Sequence, residues 1–133
     1  MKNKNGFTLI ELLAIIILLG IIGVIAIPSI KNTLDETRIE SLKVSINSLE
    51  RSVINDCKLK VLDGNKIYFD YTIENSVITP DVDFNGKLPV SGIVKVHDNC
   101  VVDIFLYDEK YCGVKENGQV SVTESTKDEC IVT

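Results

Sequence analysis

Apolar side chains crowd the front of this chain and thin out behind it. Between Phe7 and Ile30 lie 24 residues, of which 18 are Ala, Val, Ile, Leu or Phe, and the only charge among them is Glu11. About 20 apolar residues at roughly 1.5 Å each cross a hydrocarbon core of about 30 Å, so this stretch predicts a membrane-spanning helix. A small body cannot cover a helix that is apolar all round. Past Pro28 the pattern narrows to one face. Ile39, Leu42, Ile46, Leu49 and Val53 recur at spacings of 3, 4, 3 and 4, with Arg38, Glu40, Lys43, Glu50 and Arg51 on the other faces. The stripe covers barely two heptads, which suits a sheet in the same subunit better than a two-chain coiled coil. Asp63-Gly64 stops the helix. One helix from about Thr8 to Leu62 would be roughly 80 Å long.

Residues 64–133 read as strands and turns. Ile67–Thr72 predicts a short strand, and Ser76–Val90, with Pro80, Gly86 and Pro89, predicts a loop. Four β segments follow near Ile93–His97, Cys100–Tyr107, Tyr111–Glu116 and Gln119–Thr123. Asp98-Asn99, Asp108-Glu109 and Asn117-Gly118 separate them, and Asn-Gly is the strongest of these hairpin signals. The expected fold is α+β: a long N-terminal helix with a hydrophobic first half, and an antiparallel sheet of about four strands lying on the Ile39–Val53 stripe. The organisation expected is a leader at 1–6, an apolar helix at 7–30, and a body at 31–133 with an amphipathic helix at 31–62 and a β-rich part at 64–133.

Composition adds charge to this picture. The 133 residues hold 14 Lys+Arg and 19 Asp+Glu, a formal net charge of −5. An acidic balance argues against the phosphate-binding surface of a nucleic-acid binder. Hydrophobic content of 45% and charged content of 25% exclude wholesale disorder. Lys2 and Lys4 precede the apolar run, and no acid sits among the first six residues. The positive-inside bias places the N-terminus in the cytoplasm and the body outside. Lys31 follows the run but is soon offset by Asp35 and Glu36. An uncleaved anchor and a secretory signal cut at Ile27, after Val24 and Ala26, are two possible fates. Pro28 is a poor neighbour for the second.

A third fate rests on Gly6-Phe7-Thr8-Leu9-Ile10-Glu11-Leu12-Leu13. A short basic leader ends in Gly6, and the small residue lies before the hydrophobic segment, the reverse of a secretory signal. This resembles the class III leader of type IV prepilins and pseudopilins over the first 13 residues. The resemblance implies that a prepilin peptidase cuts between Gly6 and Phe7 and N-methylates Phe7. Loss of Lys2 and Lys4 then leaves 12 basic and 19 acidic residues, a net charge of −7. The apolar helix is retained, first as a membrane anchor and then as the core of a filament.

An ionised side chain inside a bilayer costs roughly 2.5–3.5 kcal/mol even on the lenient insertion scale. Glu11 therefore needs a partner. Before the cut, the Phe7 nitrogen is a neutral amide; after it, a cation. A neighbouring subunit's Glu11 can pair with that cation in an apolar setting, where charge pairing is strong. Gly20, Gly23 and Pro28 interrupt the hydrophobic helix, at roughly 1 kcal/mol for each Gly and about 3 for Pro. In the pilins this chain resembles, the corresponding stretch unwinds within the filament, which makes Gly20–Pro28 the extensible part.

Cys57, Cys100, Cys112 and Cys130 all lie beyond the apolar segment. An even count in an exported domain predicts disulfides, and four cysteines allow three connectivities. The resemblance points to Cys112–Cys130 closing a C-terminal loop, with Cys57–Cys100 then tying helix to sheet. No CxxC spacing exists and His97 is alone, so no metal site and no cofactor are expected. Asp81 and Asp83 lack the rest of a calcium loop. No nucleophile, phosphate-loop or zinc-hydrolase motif occurs, so no enzymatic activity is expected. The expected function is that of a structural subunit of a type IV pilus-like filament. Its partners would be copies of itself, the prepilin peptidase, the assembly machinery and the membrane, and its final place the cell surface. Rival expectations are a secretion or competence pseudopilin, a minor pilin, and a monomeric anchored or released binding domain. The leader is common to pilus and pseudopilus and does not separate them.

Overall fold

The computed structural model describes residues 5–67 and 70–132. Lys2 and Lys4 of the leader, and Tyr68 and Phe69 of the first expected strand, lie outside the described residues. The chain divides into two units, Met1–Thr37 and Arg38–Thr133. Helix α1 (Leu9–Leu62) belongs in part to each.

In the first unit α1 begins at Leu9, and no described residue is buried. The helix is continuous through Gly20, Gly23 and Pro28. Thr33 Oγ1 donates to the Ser29 carbonyl (3.0 Å) in the turn after Pro28. This helix is long and apolar enough to cross a membrane. Its mostly exposed isoleucines and leucines have no cover within the unit.

In the second unit α1 lies on one antiparallel sheet. The strands are β1 (Asp70–Glu74), β2 (Val77–Thr79), β3 (Ser91–Val96), β4 (Val102–Asp108), β5 (Tyr111–Glu116) and β6 (Gln119–Glu124). Their order is β2-β1-β3-β4-β5-β6. The α+β class and the helix-on-sheet arrangement are as the residue pattern predicts, but there are six strands, not about four. The additional one is β2, inside the stretch expected to be loop. Asn75 and Ser76 both take positive φ (50° and 63°), the geometry of a two-residue hairpin turn, and Val77–Thr79 folds back on β1. Asn tolerates that region and Ser does so rarely, so the turn carries a weaker signal than Asn117-Gly118. Cys100 also moves from an expected strand into a single 3-10 turn (Asp98–Cys100), and β4 starts two residues later.

Pleating sorts the sheet into two faces. Tyr71, Val94, Ile104 and Lys115 stand in register across the inner face, with Ile73, Gly92, Leu106 and Gly113 beside them. Leu42, Ile46, Leu49, Val53 and Cys57 of α1 cover this face and form the core with it. A short helix, α2 (Lys127–Cys130), packs on β4 and β5. Thr126 caps it by accepting from the Glu129 amide.

Gly113 sets how closely α1 approaches the sheet. A Cβ there would lie 2.7 Å from Ile46 Cδ1 and 3.0 Å from Leu42 Cδ2. Gly113→Ala is expected to cost about 1–3 kcal/mol through overpacking. The check is the denaturant midpoint of the full-length chain in mild detergent. An unchanged midpoint would mean that the helix yields freely at this point.

Candidate functional site

The chemistry-bearing residues fall at the start of α1. Gly6, Phe7 and Thr8 are not helical, and Phe7 is 84% exposed. Just behind them the Thr8 amide donates to Glu11 Oε2 (2.8 Å), and the Glu11 amide donates to Thr8 Oγ1 (3.4 Å). The Leu12 amide donates to the Thr8 carbonyl (3.2 Å), the first turn of the helix. Thr8 and Glu11 thus form a capping box. Two amides that no helical carbonyl can reach find partners in it, and the carboxylate sits near the positive end of the helix dipole. The sequence reading missed this local role of Glu11, although Thr-x-x-Glu ahead of an apolar run is its signature.

The box has two consequences. It fixes where the helix begins, which leaves the Gly6–Phe7 bond in open, extended chain. It also satisfies one carboxylate oxygen within its own chain and leaves Oε1 for another donor. Gly20 and Gly23 lie farther along the same unit, and a Cβ at either would meet nothing within 4 Å. Nothing in the unit itself requires glycine there.

The remaining sequence-derived residues are in the second unit. Cys57 is bridged to Cys100 and Cys112 to Cys130, with Cα separations of 5.8 and 5.5 Å. The first bridge pins the last buried turn of α1 to the 3-10 turn before β4. The second joins β5 to α2. His97 Nε2 lies 2.6 Å from Asp103 Oδ2, an exposed pair flanking the same 3-10 turn. Asp81 and Asp83 are exposed loop residues. Among the described residues, no group of three or more His, Cys, Asp or Glu is placed to hold a metal ion.

One polar cluster was not visible in the sequence. Lys115 is buried on the inner face, where strand alternation calls for an apolar residue. Its Nζ donates to Glu50 Oε2 (2.5 Å) and Asn47 Oδ1 (3.2 Å) on α1. Tyr71 OH and Lys60 Nζ meet Asp56 Oδ2 in the same way, at 2.6 and 2.5 Å. Such paired contacts favour one seating of helix on sheet, because a slipped helix would leave the charges unpaired. They tie elements together and present no reactive group to a cleft.

Comparisons with known proteins match the front of the chain to a described family. Residues 1–27 match the prokaryotic N-terminal methylation motif. Over 72 residues the chain is 29% identical to the type IV major fimbrial protein FimA of Dichelobacter nodosus, covering 54% of this chain and 46% of that protein. The match thus spans about half the length of that relative. No solved structure matches.

Proposed function

We propose, from the premise that this chain belongs to the type IV pilin family, that it is a filament subunit cut after Gly6, N-methylated at Phe7 and polymerised through residues 7–30. The observation that carries this reading is the start of α1. An exposed, extended Gly6–Phe7 bond stands immediately ahead of a capped apolar helix, and the only acid in that apolar stretch is Glu11. A protease requires extended backbone, and the capping box keeps the scissile residues out of the helix.

The membrane is the starting place. The basic leader stays on the cytoplasmic side and residues 31–133 lie outside, in agreement with the positive-inside bias. An oxidising exterior suits the two bridges. Helix 7–30 then passes from lipid into the filament core. Lipid tails are as apolar as leucine, so this transfer gains little from apolar burial. A polar term must discriminate between the two places. Cutting creates it, because the Phe7 nitrogen becomes a cation at the end of an apolar shaft. Glu11 of a neighbouring copy offers its free Oε1 to that cation, and the pairing sets axial register. Gly20, Gly23 and Pro28, in a stretch with no contacts of its own in the isolated chain, supply the extensible part.

N-terminal mass spectrometry of the chain recovered from its native envelope tests this reading. The expected first residue is methylated Phe7. Recovery with Met1 or with Ile27 at the front would overturn it, since the first means an uncut anchor and the second a released body.

A further inference from the structure

The outer side of α1 in the second unit is not the polar surface that a solvated helix shows. At its C-terminal end Val61 is 54% and Leu62 81% exposed, and Val101, just after the bridged Cys100, is 55% exposed. A cleft of about 400 Å³ lies between Lys58, Val61 and Leu62 of α1 and Asn99 and Cys100 of the 3-10 turn. The Cys57–Cys100 bridge holds the two sides of this cleft together. Lys58 stands at its rim, one turn before Leu62. Two large aliphatic side chains in the last turn of a helix, beside a third from a fixed turn, make a patch whose apolar area is left in water. Its rim is basic in a chain whose net charge is −5.

The same chain carries the complementary chemistry at another place. Leu34 lies beyond the apolar span and is 56% exposed, and Asp35 and Glu36 follow it directly. Among the described residues neither Lys58 nor Glu36 stands in an ion pair. We propose that the patch of Lys58, Val61, Leu62 and Val101 is a docking surface for a second copy of this chain. The α1 segment at Leu34–Glu36 of that copy seats its leucine on the aliphatic patch and its acid on the lysine. The two surfaces are different, so the contact is heterologous. Repeated in one sense it adds copies without closing a ring, which is what an open helical filament requires. This inference rests on the filament reading and names a contact outside the apolar core. The ion pair fixes register and excludes wrong seatings, and the aliphatic contact supplies the burial.

Charge exchange tests it in cells that assemble the full-length chain into filaments. Lys58→Glu and Glu36→Lys are each expected to cut the yield of sheared filament by about tenfold, since each sets like charges against each other. The double variant K58E/E36K restores the pair with reversed sign and is expected to recover yield to within about twofold of the unmodified chain. Single variants with undiminished yield would overturn the proposal. So would a double variant no better than the worse single one. Both positions are exposed, so the membrane pool of each variant is expected to match the original. Should a charge-reversed chain fail to accumulate, Lys58→Gln and Glu36→Gln report the same contact as partial losses, and normal yield from both would equally overturn it. If the unmodified chain yields no filament, the filament reading fails and this surface with it. If filaments form and only the exchange fails, the docking assignment alone is wrong.

Discussion

Glu11→Ala chains are expected to be cut at Gly6–Phe7, to accumulate in the membrane, and to yield no filaments. Two separate functions of Glu11 are removed by that change. One is local: the capping box with Thr8, an interaction of the kind that contributes about 0.5–2 kcal/mol to a helix. The other is the proposed pairing with the Phe7 cation of a neighbouring copy. Glu11→Gln separates them. Glutamine also completes a capping box, because its side-chain oxygen accepts from the Thr8 amide as the carboxylate does. It carries no charge, however, and so cannot neutralise an ammonium group in an apolar core. If charge pairing decides assembly, both variants fail to polymerise while both are processed. Filaments at normal yield from Glu11→Gln would show that the cap suffices and the pairing is not needed. Immunoblots of sheared and membrane fractions, with the N-terminus of the processed chain determined by mass spectrometry, read all of these outcomes.

The second large effect is expected from the bridge between Cys57 and Cys100. Its partners are 43 residues apart in sequence, against 18 for Cys112 and Cys130. On the chain-entropy account, the longer loop corresponds to about 4 kcal/mol and the shorter to about 3. Whole domains are stable by only about 5–15 kcal/mol, so either loss is a large share. The double change Cys57→Ser/Cys100→Ser is therefore expected to destabilise the chain more than Cys112→Ser/Cys130→Ser, as judged by denaturant midpoints of the full-length protein in mild detergent. The reverse order would mean that strain or residual structure outweighs loop closure. The longer bridge also links the end of α1 to the turn that carries Val101. Its loss should loosen the patch proposed to receive a second copy, so filament yield should fall along with stability.

Much of the architecture could be read from residue pattern. The apolar run, its length and its single acid define the front of α1, because hydrophobic periodicity and length are local properties. The stripe of Leu42, Ile46, Leu49 and Val53 identifies the buried face for the same reason, and the structure extends it by one turn to Cys57. Asn117-Gly118 marks its hairpin because glycine at positive φ is cheap. The Asn75-Ser76 hairpin was not legible, since Ser at positive φ is uncommon and only the pairing of β2 with β1 offsets its cost. The capping box was legible in Thr8-x-x-Glu11. The demand for a charge partner for Glu11 drew attention away from it.

Sequence by itself determined that this chain has a greasy shaft with one acid, a cutting motif ahead of it, and an amphipathic continuation followed by strands. Those are statements about near neighbours along the chain, and the energies involved depend on composition and period. Only the tertiary structure decided that Lys115 is buried against Glu50 and Asn47 and that Gly113 must lack a side chain beneath Ile46. It alone placed Val61, Leu62 and Val101 on one patch. Each of these brings together residues that are distant in sequence, and no local preference encodes such a meeting. It arises when one helix is seated on one sheet and the charges, volumes and bridges of both must fit at once.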